Sequence, residues 1–303
     1  MNHFSSSAYI GVDDNQWLLF GSGGATSVEY LRSLQQWYPY PNCEFCTTIS
    51  GTATAPLQAF ASDGAGDFFF GYNIAQNIGY ITPVNNGTLG APISVPNPMG
   101  YNTDCTGFTA GGGTLMAAFM SLNAIPPGGS WQQVGTLDLQ PVNEYSGALG
   151  TPAQITNVFD ASCNVAMSTD QSQTGVAIAT RLPGELGPGE LFTTYNTFSL
   201  LQSTPLFGYE PLSFASMNTS HSWPLYWVML DAFGGDYTRN ANATSLLELV
   251  NTYNSYLHVY MPIGSLLNTT IPYNNRILAA GPNGMVYMLG AGGYEIAPFL
   301  TGL

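Results

Sequence analysis

The sequence predicts an all-β protein, one domain spanning residues 1–303, assembled from six similar units. Three observations predict it. One segment recurs at a fixed interval. Pairs of short apolar runs are joined by turns rich in Gly, Asn and Asp. The longest apolar runs, around Leu225–Leu230 and Leu115–Met120, are strand-sized and far short of the roughly 18 residues a membrane span needs.

The recurring segment comes first. Pro83-Val84-Asn85-Asn86-Gly87-Thr88-Leu89-Gly90-Ala91-Pro92-Ile93 is matched by Pro141-Val142-Asn143 and then Gly147-Ala148-Leu149-Gly150-Thr151-Pro152-Ala153-Gln154-Ile155. Asp104-Cys105 and Asp160-Ala161-Ser162-Cys163 follow, and both the prolines 83 and 141 and the cysteines 105 and 163 lie 58 positions apart. Weaker echoes begin near Val28, Tyr80, Leu137, Phe192, Leu257 and Tyr294. Between them lie predicted strand pairs: Phe60–Tyr72 around Asp63-Gly64-Ala65-Gly66, Phe108–Ser121 around Gly111-Gly112-Gly113, and Val165–Thr180 around Thr169–Thr174. Two more are Phe214–Leu230 around Asn218–Ser222 and Ile277–Leu289 around Pro282-Asn283-Gly284. Asn-Gly between apolar runs is a strong hairpin signal, because both residues tolerate the positive φ of a tight turn.

Units of about 50 residues built from short strands and Gly-rich turns resemble the blades of a six-bladed β-propeller. The resemblance is architectural: the chain has no WD dipeptide and no Tyr-Trp-Thr-Asp signature, so no functional residues carry over. It implies a closed ring, with Tyr294–Leu300 sharing a blade with Ala8–Gly11 and Trp17–Phe20, so that open sheet edges vanish. A β-sandwich, or two small β-domains, is the competing fold. Two segments carry helical spacing. Ser27–Trp37 has Val28, Leu31, Leu34 and Trp37, and Ser245–Tyr256 has Leu246, Leu247, Leu249, Val250 and Tyr253. The second, with the polar stretch before it, reads as a loop or helix excursion over residues 239–256.

The charge balance narrows the function classes. The chain has no lysine and four arginines, Arg32, Arg181, Arg239 and Arg276, with a formal net charge of −14. Charged residues make up 7% of it, against about 25% in an average soluble domain. Nucleic-acid binding needs a basic stripe to release phosphate counterions, and an anionic membrane surface needs a similar cluster. Both partners are excluded. With 45% hydrophobic and 13% aromatic residues the chain has ample material for a core. At roughly pH 2–3 most carboxylates are neutral, and only the four Arg, three His and the N-terminus would be charged. Lysine poverty thus fits an acidic medium, and equally a neutral extracellular surface.

The N-terminus, Met-Asn-His-Phe-Ser-Ser-Ser, has neither the basic nor the apolar region of a secretory signal. Sequons at Asn86, Asn218, Asn242 and Asn268 are glycosylation candidates. Cys43-Glu44-Phe45-Cys46 has CxxC spacing in a loop-like context; a local disulfide between Cys43 and Cys46 or two free thiols are the readings open to it. No second cysteine or histidine pair stands ready to complete a zinc site. Asp63-Gly64-Ala65-Gly66-Asp67 has clustered oxygens of the kind calcium prefers but lacks further acidic ligands.

For catalysis, Asp13/Asp14, Asp63/Asp67, Asp231/Asp236 and Glu185/Glu190 are carboxylate pairs of the type glycoside hydrolysis uses. Most sit at turns, where Asp bonds its own backbone. His3, His221 and His258 are far apart in sequence, and no Gly-x-Ser-x-Gly elbow occurs. No catalytic residue, metal or cofactor is therefore expected. Binding has more support. Trp37, Tyr38, Tyr40, Trp131, Trp223 and Tyr226 stand in polar, loop-like surroundings, where aromatics stack on sugars or anchor protein interfaces. Filling the wedges between blades is the other role open to them.

The composition resembles that of virion surface proteins of thermoacidophile viruses. That resemblance implies a non-enzymatic surface or decoration protein, located on the virion or secreted. It would contact capsid or envelope proteins and, as a second partner, host glycans. The alternatives are an extracellular glycan-active hydrolase with carboxylates in the propeller channel, and a structural cell-envelope component.

Overall fold

The computed structural model describes residues 8–12, 18–22, 28–31, 46–62, 66–100, 103, 105–111, 113–123, 134–159, 166–170, 173–178, 190–195, 200–205, 210–217, 226–233, 244–251, 259–262, 277–280, 285–289 and 299–300, with side chains over 49–62, 66–100, 103, 106–111, 113–121 and 135–155. All regular structure there is strand, and every strand pairing within the sheets is antiparallel. The first sheet joins β1 (Ala8–Val12), β2 (Leu18–Ser22), β3 (Val28–Leu31) and β4 (Cys46–Ile49). The second joins β5 (Leu57–Ser62), β6 (Asp67–Asn73) and β7 (Ile78–Asn85) to a divided outer strand, β8 (Thr88–Leu89) and β9 (Ile93–Pro96). The third comprises β10 (Cys105–Gly111), β11 (Thr114–Asn123), β12 (Val134–Asn143) and β13 (Ala153–Phe159). The fourth is β14 (Ala166–Asp170), β15 (Gln173–Ile178), β16 (Glu190–Tyr195) and β17 (Leu200–Pro205). The fifth is β18 (Glu210–Met217), β19 (Tyr226–Phe233), β20 (Thr244–Asn251) and β21 (Val259–Pro262). The last is β22 (Ile277–Ala280), β23 (Met285–Leu289) and β24 (Phe299–Leu300).

All five predicted hairpins form. Ser62 pairs with Asp67, Gly111 with Thr114, Asp170 with Gln173, Met217 with Tyr226 and Ala280 with Val286. Two expectations differ. Val28–Leu31 and Thr244–Asn251 are strands where the spacing suggested helices. Residues 244–251 pair with β19 on one side and β21 on the other, and this pairing outweighs a helical spacing too short to be decisive. Residues 239–243 and 252–256 lie outside the described residues. The second difference concerns the termini. β1 and β2 pair within the first sheet and β24 pairs with β23, so the expected sharing of one sheet by Ala8–Gly11, Trp17–Phe20 and the C-terminal strand is not among the described pairings. Short connections favour pairing between consecutive strands.

The recurring segment is a third strand turning into a fourth. Gly90 N–H donates to the Pro83 carbonyl at 2.7 Å, and Gly150 N–H donates to the Pro141 carbonyl at 2.9 Å. The turns between them differ. Asn86 (φ 50°) and Gly87 (φ 74°) make a two-residue turn joining the pair Asn85–Thr88. In the second copy a wider turn is held by Asn143 Oδ1, which accepts from the N–H groups of Tyr145 (3.1 Å) and Ser146 (2.9 Å).

Burial explains the composition of the strands. The run Phe68–Tyr72 has no alternation because both faces of β6 are covered. Phe68, Phe70 and Tyr72, with Ile81 and Val95, meet Phe108, Ala110, Leu115, Ala117, Phe119 and Val142 of the third sheet. Phe70 and Phe108 stack at 5.5 Å, and Phe119 meets Phe70 edge-on at 6.3 Å. The opposite face of the second sheet places Leu57, Phe60 and Phe69 against Ile49 and Ala53. Each Leu, Ile, Val or Phe among them contributes about 1.5–3 kcal/mol on burial. Gly71 is dictated by a close approach: a Cβ there would lie 2.8 Å from the Ala55 carbonyl oxygen and 2.9 Å from that of Pro56.

Candidate functional site

From Phe68 to Thr103 the sequence contains no charged residue. This stretch builds one end of the second sheet, where the β6–β7 turn meets the segment leading to β10. The turn is tight. Asn73 Oδ1 accepts the Gln76 N–H at 3.2 Å, and the Asn77 N–H donates to the Ile74 carbonyl at 3.3 Å. Asn77 closes it in the left-handed region (φ 54°), which Asn tolerates better than most side chains.

Beneath the turn runs a polar relay. Tyr72 OH donates to Asn77 Oδ1 at 2.6 Å, and Thr103 Oγ1 donates to the same oxygen at 2.8 Å. Asn97 Nδ2 donates to Thr103 Oγ1 at 2.9 Å, while Asn97 Oδ1 accepts the Met99 N–H at 3.0 Å. Asn97 and Thr103 are buried. The relay therefore ties the β6–β7 turn to the connection between the second and third sheets. Above it, Gln76 Oε1 accepts from Tyr80 OH at 2.9 Å and from Asn73 Nδ2 at 3.2 Å. Ile74 projects from the turn with 77% of its surface exposed, and Met99 is exposed beside the connection. The result is an uncharged rim of amide and phenol groups with apolar tips, rigid from below.

The other end of the sheets carries an exposed aromatic. Tyr145, in the turn after β12, is 79% exposed and its ring covers Gly113. Leu149 is exposed on the same turn.

Among the described residues one carboxylate is fully buried. Asp138 sits mid-strand in β12, with Phe119 opposite on β11 and Gln154 opposite on β13. Gln154 Nε2 donates to Asp138 Oδ1 at 2.8 Å, and Oδ2 has no hydrogen-bond partner. Burial pushes the Asp138 carboxyl above its ordinary range, and the Gln154 donor offsets part of that rise.

Most sequence-predicted site residues are not described by the structure. Trp37, Tyr38, Tyr40, Trp131, Trp223, Cys43, Asn218, Asn242 and Asn268 are outside the described residues. Tyr226 opens β19, opposite Met217 and Asn251, and Cys46 opens β4, opposite Leu31. Asn86 stands exposed at the tip of the β7–β8 turn. Cys105 begins β10, and Cys163 is outside the described residues. Among the described residues no three His, Cys, Asp or Glu side chains gather as a metal site, and no helix is long and apolar enough to cross a membrane. The rim itself was not among the predicted sites. Its only sequence signal is the long uncharged stretch.

No protein-family model matches the chain, and no curated protein matches it. Solved structures do. A chain of the Kuenenia stuttgartiensis hydrazine synthase aligns with a TM-score of 0.53 at 12% identity, covering 93% of this chain and 72% of that one. BBS1N, solved in complex with ARL6DN, aligns with a TM-score of 0.50 at 10% identity over 94% of this chain and 75% of its own. A chain of a nidogen–laminin complex gives 0.50 at 8% identity, covering 94% and 93%. The fold is β-propeller-like. At these identities the likeness concerns architecture and no activity passes with it.

Proposed function

We propose that the chain is a six-bladed propeller serving as a non-enzymatic surface or decoration protein of a virion. In this reading its uncharged rims hold neighbouring capsid or envelope proteins, with host glycans as a second partner. The ring is supported by neighbour relations: the first strands of successive sheets pack side by side, and β1 lies beside both β5 and β22. In this reading the two ends of the ring meet, among the described residues, where β1 packs beside β22.

The observation that carries the functional reading is the rim at the β6–β7 turn. Ile74 is exposed on a turn fixed by the Tyr72–Asn77–Thr103–Asn97 relay. A pre-ordered turn binds without losing much conformational freedom, which favours adhesion. With no charge from Phe68 to Thr103, affinity rests on hydrogen bonds and apolar contact.

The test has two parts. Mass spectrometry of purified particles should find the chain, and its absence there sinks the virion assignment. Binding of isolated shell proteins should weaken at least tenfold in Ile74→Asp and change little between low and high salt, since ion pairs at a surface are screened by salt and hydrogen bonds are not. Steep salt dependence would refute a neutral interface. Hydrolysis of an arrayed glycan, lost in a single carboxylate variant, would overturn the non-enzymatic reading.

A further inference from the structure

We propose that Asp138 is a proton-operated latch between the second and third sheets, closed while its carboxyl is neutral and loosened when it ionises. The placement argues for it. Asp138 is fully buried in the middle of β12 on the face it shares with Phe119, and Phe119 packs into the second sheet through Phe70 and Tyr72. One carboxyl oxygen is bonded to Gln154 and the other has no hydrogen-bond partner.

Among the described residues no countercharge faces it. From β11 the same face presents Ala117, Phe119 and Ser121, from β13 Gln154, and from β12 itself Thr136 and Gln140. The facing side of the second sheet contributes Phe70, Tyr72, Ile81 and Val95. Among these groups Tyr72 is the only other titratable one, and its hydroxyl is engaged with Asn77. The four arginines lie outside the described residues. A carboxylate in such a place loses its hydration and gains one amide donor, so the neutral acid is favoured.

The pH direction follows. Because burial raises the folded-state pKa, the folded chain holds a proton that the unfolded chain has released. The stability this provides is complete below the ordinary aspartate range, near 4, and is lost as pH rises through the folded value. Above it the charge sits in the wedge and strains the contact between the two sheets.

Urea midpoints of the full chain measured at about pH 4 and about pH 7 test the proposal. The parent should lose stability over that interval. Asp138→Asn, which keeps the shape and cannot ionise, should lose less. Gln154→Leu removes the donor that restrains the rise, so the falling limb of its stability–pH curve should move to higher pH. Parallel pH curves for the parent and Asp138→Asn would overturn the latch. If Asp138→Asn does not fold, carboxyl-carbon NMR of the parent decides. A titration midpoint above the ordinary aspartate range supports the proposal, and an ordinary midpoint refutes it.

Discussion

Replacing Asn77 separates two contributions that the structure superimposes at one residue. Its side-chain oxygen receives hydroxyls from Tyr72 and Thr103, and its backbone holds a φ of 54°. Asn77→Gly removes both hydrogen bonds but suits the backbone. At about 0.5–1.5 kcal/mol per bond, the loss should be about 1–3 kcal/mol. Asn77→Ala removes the same bonds and adds the penalty of a Cβ in the left-handed region, about 1–2 kcal/mol more. Tyr72→Phe deletes one of the two bonds and should cost about 1 kcal/mol. Urea unfolding with linear extrapolation gives the three values, and the Tyr72→Phe/Asn77→Gly double variant gives the coupling. The order should be parent, Tyr72→Phe, Asn77→Gly, Asn77→Ala. Equal stability of the Gly and Ala variants would refute the backbone part. An additive double variant would refute the direct bond between Tyr72 and Asn77.

Other perturbations follow from the packing. Phe119→Ala empties the centre of the wedge between the second and third sheets, where Phe119 is fully buried against Phe70 and Tyr72, and should cost about 3–5 kcal/mol by urea unfolding. Gly71→Ala forces a methyl against the Ala55 and Pro56 carbonyls, both under 3.0 Å from the new carbon, and should cost about 1–3 kcal/mol, read as a lower melting temperature. A Gly71→Ala variant that melts with the parent would show that the residue 55–56 segment yields freely.

The sequence signals that survived were local ones. Asn86-Gly87 between apolar runs announced a hairpin and forms one, because two positive-φ residues suffice to reverse a strand pair. The Pro83/Pro141 spacing announced a repeated unit, and both prolines accept the same kind of bond from a later glycine. Leu246, Leu247, Leu249 and Val250 misled, since a short apolar cluster fits a strand paired on both edges as well as a helix. The echo placed near Leu257 slipped for the same reason: β20, the third strand of its sheet, lies at Thr244–Asn251. The relay under the rim was invisible because Asn77 and Thr103 are 26 positions apart, and contacts over such a distance leave no local pattern. Asp138 was hidden differently. In Leu137-Asp138-Leu139-Gln140 the alternation suggests a wet face, yet Asp138 and Gln140 are both buried because the third sheet is covered on that side too.

The divided outer strand of the second sheet has a consequence for solubility. The chain's isoelectric point is about 4.1, so in mildly acidic water its molecules cease to repel one another electrostatically. Strand β9 pairs with β7 and with no other strand among the described residues, and such a flank is one on which a second molecule could template its own strand. Pro92 precedes it and Pro96 ends it, and neither can donate a backbone N–H to an incoming strand. Where charge no longer keeps copies apart, these two rings interrupt the edge, and exchanging both for residues with an N–H should turn clear solutions near the isoelectric point into precipitate.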